Sequence, residues 1–192
     1  MTLPPMKLLA LELSTEACSV ALWVDGEVSE RFEVAPRRHA ELALPWAGQL
    51  LADAGIARSQ LDAIAIGRGP GAFTGVRLAI AIGQGIALAL GRPMVAVSTL
   101  ATLALSAGGP RVLAAIDARM GEVYSAAFEL RDGDAARLQT AHLPRRPPTA
   151  RPSRLRSTVP APAASSGAIS YGRFWRKERL HVLDAPGFRQ GR

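Results

Sequence analysis

The sequence predicts an α/β fold, a mixed sheet with helices on both of its faces, and three observations predict it. Short apolar or alternating runs in the first third are joined by tight turns, as an antiparallel meander requires. From residue 39 the apolar period becomes that of a helix, and strand-like and helix-like segments then alternate, as crossover units require. At the centre lies Gly67-Arg68-Gly69-Pro70-Gly71-Ala72-Phe73-Thr74-Gly75-Val76-Arg77, a loop of four glycines and a proline between a strand-like and a helix-like run.

Residues 7–13 read as a buried strand, followed by Ser14-Thr15-Glu16-Ala17 and a second strand over 18–24. Asp25-Gly26 is a strong hairpin signal, and 28–34 alternates apolar and polar side chains as a half-exposed third strand should. Leu42, Trp46, Gln49, Leu50 and Asp53 then recur at helical spacing, predicting a helix over 39–54 with Gly55 as its stop and Pro45 as a kink or late start. A strand over 63–67, the glycine loop, a helix over 75–90 closed by Gly91 and a strand over 94–97 complete the run. Ser98 caps a further helix through 106. Three meandering strands followed by two crossovers are the order of a ribonuclease-H-like lobe.

The plan then starts again. Val112-Leu113-Ala114-Ala115-Ile116-Asp117, a turn, Val123-Tyr124-Ser125-Ala126-Ala127-Phe128 and Asp132-Gly133 repeat the strand, acid, strand, Asp-Gly pattern of residues 8–26. The expected organisation is a first lobe over 1–108, the start of a second over 109–137, and an atypical Arg/Pro-rich tail over 138–192. In that tail the periodicity gives way to Pro144-Arg145-Arg146-Pro147-Pro148 and similar text. A basic disordered nucleic-acid-binding tail, a plain linker and a slip of reading frame in a GC-rich gene all fit such text. The abrupt break in the strand-helix plan favours the slip, and no function is read into the tail.

Charge supports that division. The net charge is +7, yet residues 1–131 hold 11 Lys and Arg against 12 Asp and Glu, whereas residues 132–192 hold 12 against 4. The basic excess that would point to nucleic acid therefore belongs to the tail. Cys18 alone permits no internal disulfide and suits a reducing cytoplasm. Its strand-like context makes it a buried side chain rather than a nucleophile. The N-terminus has no basic region before an apolar stretch, so no secretory signal is expected. The apolar segment 75–90 is too short to cross a bilayer and contains Arg77 and Gln84, so no membrane is expected.

The glycine loop has two readings. Gly67, Gly69, Gly71, Thr74 and Gly75 could grip a phosphate at a helix start, although the loop lacks Gly-Lys-Ser/Thr and misses the dinucleotide spacing. Equally, its glycines could serve only a sharp turn and tight packing. The helix after it is apolar nearly all round, with Gly75, Ala79, Gly83 and Ala87 forming a ridge of small residues. That ridge can pack against its own chain or receive a helix of another subunit. Glu12 and Asp117, with Glu16, are candidate acids near strand ends, where ribonuclease-H-like lobes place metal and phosphate chemistry. The competing reading is an acid satisfied at a turn. His39, His142 and His181 are scattered, no metal site is predicted, and His39 is expected on a solvated helix start beside Glu41. No catalytic residues are assigned.

Three stretches identify a family resemblance: Leu9-Ala10-Leu11-Glu12-Leu13-Ser14-Thr15-Glu16-Ala17-Cys18-Ser19-Val20-Ala21-Leu22, the glycine loop through Arg77, and Ala115-Ile116-Asp117-Ala118-Arg119-Met120-Gly121-Glu122-Val123-Tyr124. Over residues 6–130 the chain resembles the TsaB (YeaZ-like) family of bacterial tRNA threonylcarbamoyladenosine biosynthesis proteins, paralogues of TsaD. The resemblance implies an actin-like ATPase-type fold of two ribonuclease-H-like lobes and a scaffold with no activity alone. It implies dimerisation with the catalytic TsaD, which adds threonylcarbamoyl beside the anticodon of tRNAs reading A-starting codons. A TsaE-like ATPase and tRNA would join through that complex, which uses ATP; no cofactor is implied for this chain itself. The helices over 39–54 and 75–90 would form the dimer surface, in agreement with Gly75, Ala79, Gly83 and Ala87 as the partner interface, and two copies could pair when the partner is missing. The alternatives are a stand-alone actin-like-fold ATPase or kinase, and a glycoprotease-like peptidase. Family members continue into a folded second lobe, and residues 138–192 depart from that pattern.

Overall fold

A computed structural model describes residues 6–107, 110–119, 122–131, 134–143 and 181–184. Strands β1 (Lys7–Glu12), β2 (Ala17–Val24) and β3 (Glu27–Val34) form the expected meander, and β2 and β3 join through Asp25 and Gly26, both at positive φ. That two-residue loop matches the right-handed twist of the strands it connects. Helix α1 (His39–Asp53), β4 (Ala63–Gly67), helix α2 (Phe73–Leu90), β5 (Met94–Val97) and helix α3 (Thr99–Ala107) follow. The first sheet has the order β3-β2-β1-β4-β5, antiparallel through the meander and parallel across β1-β4-β5. This is the ribonuclease-H-like lobe expected from the pattern.

Strand register explains the core. Leu9, Leu11 and Leu13 of the first strand segment, Cys18, Val20 and Leu22 of β2, and Ile64 and Ile66 of β4 share one cluster with Ala43, Ala47, Leu50 and Leu51 of α1 and Ala79 and Ala87 of α2. Alternation puts these strand residues on a single face, so α1 and α2 both pack there rather than on opposite faces of the sheet. Pro45 is exposed within α1 and does not end the helix, which runs from His39 without a late start. Two exposed ion pairs, each 2.8 Å, join Arg31 of β3 to Asp53 of α1 and Arg38, just before α1, to Glu33 of β3. Exposed pairs of this kind contribute little.

The described residues fall into two compact units dividing between Thr99 and Leu100. The second contains β6 (Arg111–Arg119), β7 (Glu122–Arg131), β8 (Asp134–Leu143) and β9 (His181–Asp184), in the order β8-β7-β6-β9. Its core joins Leu100, Leu103 and Ala104 of α3 to Val112, Ala114, Ile116, Ala126 and Phe128, which is why α3 beyond its first residue, Thr99, falls with the second unit. The meander β6-β7-β8 repeats β1-β2-β3. The plan then departs: β9 pairs with β6 antiparallel, where β4 pairs with β1 parallel. Strand β8 extends to Leu143, six residues into the stretch read as tail, and 181–184 add a strand. The Arg/Pro-rich text of 144–180 and 185–192, with the readings attached to it, and the turn Asp132-Gly133 lie outside the described residues.

Candidate functional site

Glu12 ends β1 with a side chain that is only 4% exposed. Its two oxygens are both engaged: Oε1 accepts the Ser14 N–H at 2.8 Å, and Oε2 accepts the Thr99 hydroxyl at 3.1 Å. The Ser14 and Thr99 hydroxyls are themselves 3.0 Å apart. Burial pushes the Glu12 carboxyl above its ordinary value, and the hydrogen bonds from Ser14, Thr99 and Leu13 offset part of that shift. The acid is thus satisfied within the chain, at a turn, as one of its two sequence readings holds.

The glycine loop folds down onto the same point. A side chain at Gly67 would collide with the Glu12 carboxylate, and one at Gly75 would collide with the Leu13 carbonyl oxygen. The Ala72 N–H donates to the Ser14 carbonyl at 2.6 Å, and the Thr99 N–H donates to the Gly69 carbonyl at 3.0 Å. Gly67, Gly69 and Gly75 are buried, Gly71 lies against Ser14, and Thr74 alone of the loop candidates is exposed. The glycines therefore let the loop approach the strand-end turn closely, and the space beside Glu12 is taken up by Ser14, Thr99 and Gly67. Ser14 and Thr99 escape sequence reasoning because their role depends on contacts across 85 residues of chain.

The other candidates do not join this cluster. Asp117 is exposed near the end of β6, in the second unit. His39 starts α1 as expected, yet it is buried rather than solvated: its Nε2 donates to the Ala17 carbonyl at 3.1 Å and pins the helix to β2. Glu16 is exposed. His142 and His181 fall in β8 and β9, where only the strand assignment is described. Among the described residues no group of three or more His, Cys, Asp or Glu is placed to hold a metal ion. Cys18 is buried, and burial together with the Glu33 carboxylate pushes its thiol up to about 12.

The small-residue ridge requires a correction. Gly75, Ala79, Gly83 and Ala87 are the four buried residues of α2, and they face the protein's own sheet, with Gly83 against Ile66 and Met94. Close helix-sheet approach uses the ridge completely, so it is unavailable to another subunit. The opposite face of α2 is the exposed one. It carries Phe73 at 69% and Leu88 at 86% exposure, with Ala81, Gln84, Gly85 and Ala89 between or beside them. Phe73 is stacked by the Arg77 guanidinium, 3.5 Å from the ring centre. Leu44 of α1, 52% exposed, adds a further apolar side chain. Starting at Phe73 rather than Gly75, α2 has 18 residues and by length and composition could cross a membrane, unlike the shorter segment expected. Its buried row, Gly75, Ala79, Gly83 and Ala87, packs on β4 and the end of β1, and the rest of the helix is half-buried or exposed.

Comparison with known proteins decides the family. The family model described as TsaD, tRNA N6-adenosine threonylcarbamoyltransferase, matches residues 32–141, more than half of the chain. The solved structure of YeaZ from Pseudomonas aeruginosa is 54% identical, with a TM-score of 0.70 over 72% of this chain and 68% of that one. The chain belongs to the TsaB/YeaZ family. It is 52% identical over 128 residues to the tRNA threonylcarbamoyladenosine biosynthesis protein TsaB of Escherichia coli, matching 65% of this chain and 55% of that protein. The TsaB of Haemophilus influenzae is 47% identical over 123 residues, 62% of this chain and 52% of that protein. The chain thus spans about half the length of these two TsaB relatives.

Proposed function

We propose that this chain is a non-catalytic subunit in the biosynthesis of threonylcarbamoyladenosine in tRNA, and that it docks a TsaD-like catalytic paralogue through the outer face of α2. The observation that carries the reading is that face: Phe73 and Leu88 stand in solvent on a helix whose inner row is already spent on the sheet. An apolar helix face left open is a docking surface in want of a partner. The Glu12 cluster supports a scaffold role over catalysis, because the carboxyl is buried and each of its oxygens accepts a hydrogen bond from the chain itself. A TsaE-like ATPase and tRNA engage the assembly in the cytoplasm, ATP is used by the assembly, and the same face pairs two copies when the paralogue is missing.

The test is co-expression with the TsaD paralogue of the same genome, followed by affinity purification. The unaltered chain should bring the paralogue down. Leu88→Glu combined with Phe73→Asp should reduce recovery at least tenfold, since two desolvated charges at an apolar contact each cost more than about 1 kcal/mol. Circular dichroism should show both proteins equally folded. Undiminished recovery with the double variant would overturn this docking face.

A further inference from the structure

The Glu12 cluster has a property that partner docking does not use. The carboxyl accepts from the N–H of Ser14, two residues on in the strand-end turn, and from the hydroxyl of Thr99 at the start of α3, and it lies against the bare backbone of Gly67 at the end of β4. None of them is ionisable. The Ser14 hydroxyl lies against that of Thr99 and completes the polar wall. One local and one distant donor meeting on a carboxyl, with a glycine where any side chain would strike it, make a binding site for a carboxyl group; here the ligand belongs to the chain itself.

We propose that Ser14, Gly67 and Thr99 form a carboxyl-binding notch whose resident ligand is the Glu12 side chain, and that Glu12, by filling it, ties the strand-end turn to Thr99, the two points to which the glycine loop is itself bonded through Ala72 and Gly69. Both oxygens serve this latch, so Glu12 is a positioning residue. The notch selects a small carboxylate over a simple halide, because two donors at fixed separation suit two oxygens on one carbon.

Chemical replacement tests this. Glu12→Ala removes one methylene and the carboxyl, which together are what acetate supplies. The melting temperature of Glu12→Ala is measured against sodium acetate, with sodium chloride at equal ionic strength as the control. Acetate should raise it saturably by about 4 °C or more above chloride. The unaltered protein and Glu12→Gln, whose notches are filled, should show no acetate-specific gain. Adding Thr99→Val to Glu12→Ala should remove most of the response. A chloride-equal response in Glu12→Ala, or an equal acetate gain in the unaltered protein, would overturn the proposal. Should Glu12→Ala fail to accumulate folded, refolding yield in acetate against chloride replaces the melting temperature, and equal yields overturn it likewise. None of these readings involves the catalytic paralogue, so they stand or fall apart from the docking experiment.

Discussion

Three glycine-to-alanine substitutions in one helix should change stability with different signs, set only by what each new methyl group meets. Gly85 lies on the outer face of α2, with nothing within 4 Å of an added Cβ. Alanine there removes the conformational freedom that glycine loses on folding and should stabilise the protein by about 0.5–1 kcal/mol. At Gly83 the same methyl presses on the Ile66 side chain and comes to 3.3 Å from the Met94 sulfur. Ile66 is 2% exposed and has little room, so overpacking of about 1–3 kcal/mol outweighs the propensity gain, for a net loss of about 1 kcal/mol. At Gly75 the obstacle is the Leu13 carbonyl oxygen, a backbone atom that no rotamer change can move. The helix must lift from the strand end, and the loss should reach about 3 kcal/mol or more. Urea unfolding followed by far-ultraviolet circular dichroism gives the three values. The expected ranking is Gly85→Ala, unaltered, Gly83→Ala, Gly75→Ala from most to least stable. Gly75→Ala within 1 kcal/mol of the unaltered protein, on the scale of about 1 kcal/mol expected for ordinary substitutions, would refute the close-packed inner row.

Two further outcomes follow from buried ionisable groups. The folded-state pKa of Glu12 is raised above 4.5, so the folded protein holds this proton more tightly than the unfolded chain. The stability it contributes is complete below pH 4.5 and is lost as pH rises through the raised folded value. Glu12→Gln should flatten that decline in melting temperature measured upward from pH 4, and an unchanged slope would count against the burial argument. The Cys18 thiol, held up at about 12, should stay neutral at pH 8 and react with an aromatic disulfide reagent only after unfolding in urea. Rapid labelling of the native protein would show that β2 is open there.

Much of the lobe is readable from local pattern. Ala63–Gly67 and Met94–Val97 match their expected strands, because each is a short apolar run bounded by turn residues. The helix after the glycine loop begins two residues earlier than its apolar period, since Phe73 and Thr74 are helical but exposed and so leave no periodic signal. The ridge was visible as a spacing of four, yet spacing cannot tell an inner row from an outer one. That choice depends on Ile66 and Leu13, which lie far from most of it in sequence. His39 escapes the local pattern for the same reason: its partner is the Ala17 carbonyl on strand β2. The candidate site was half legible. Glu12 stood out as an acid ending a buried strand, whereas Ser14 and Thr99, ordinary hydroxyls beside ordinary neighbours, acquire meaning only when the chain brings them together.

Where β1, β4 and α2 meet, the helix comes close to the sheet, because the row directly facing it carries only hydrogen atoms and methyl groups. The height of Leu88 and Phe73 above the sheet is therefore set from beneath. Any substitution that thickens the hidden layer would raise the exposed one by the same amount, and a docking partner would meet a displaced surface on which no visible residue had changed.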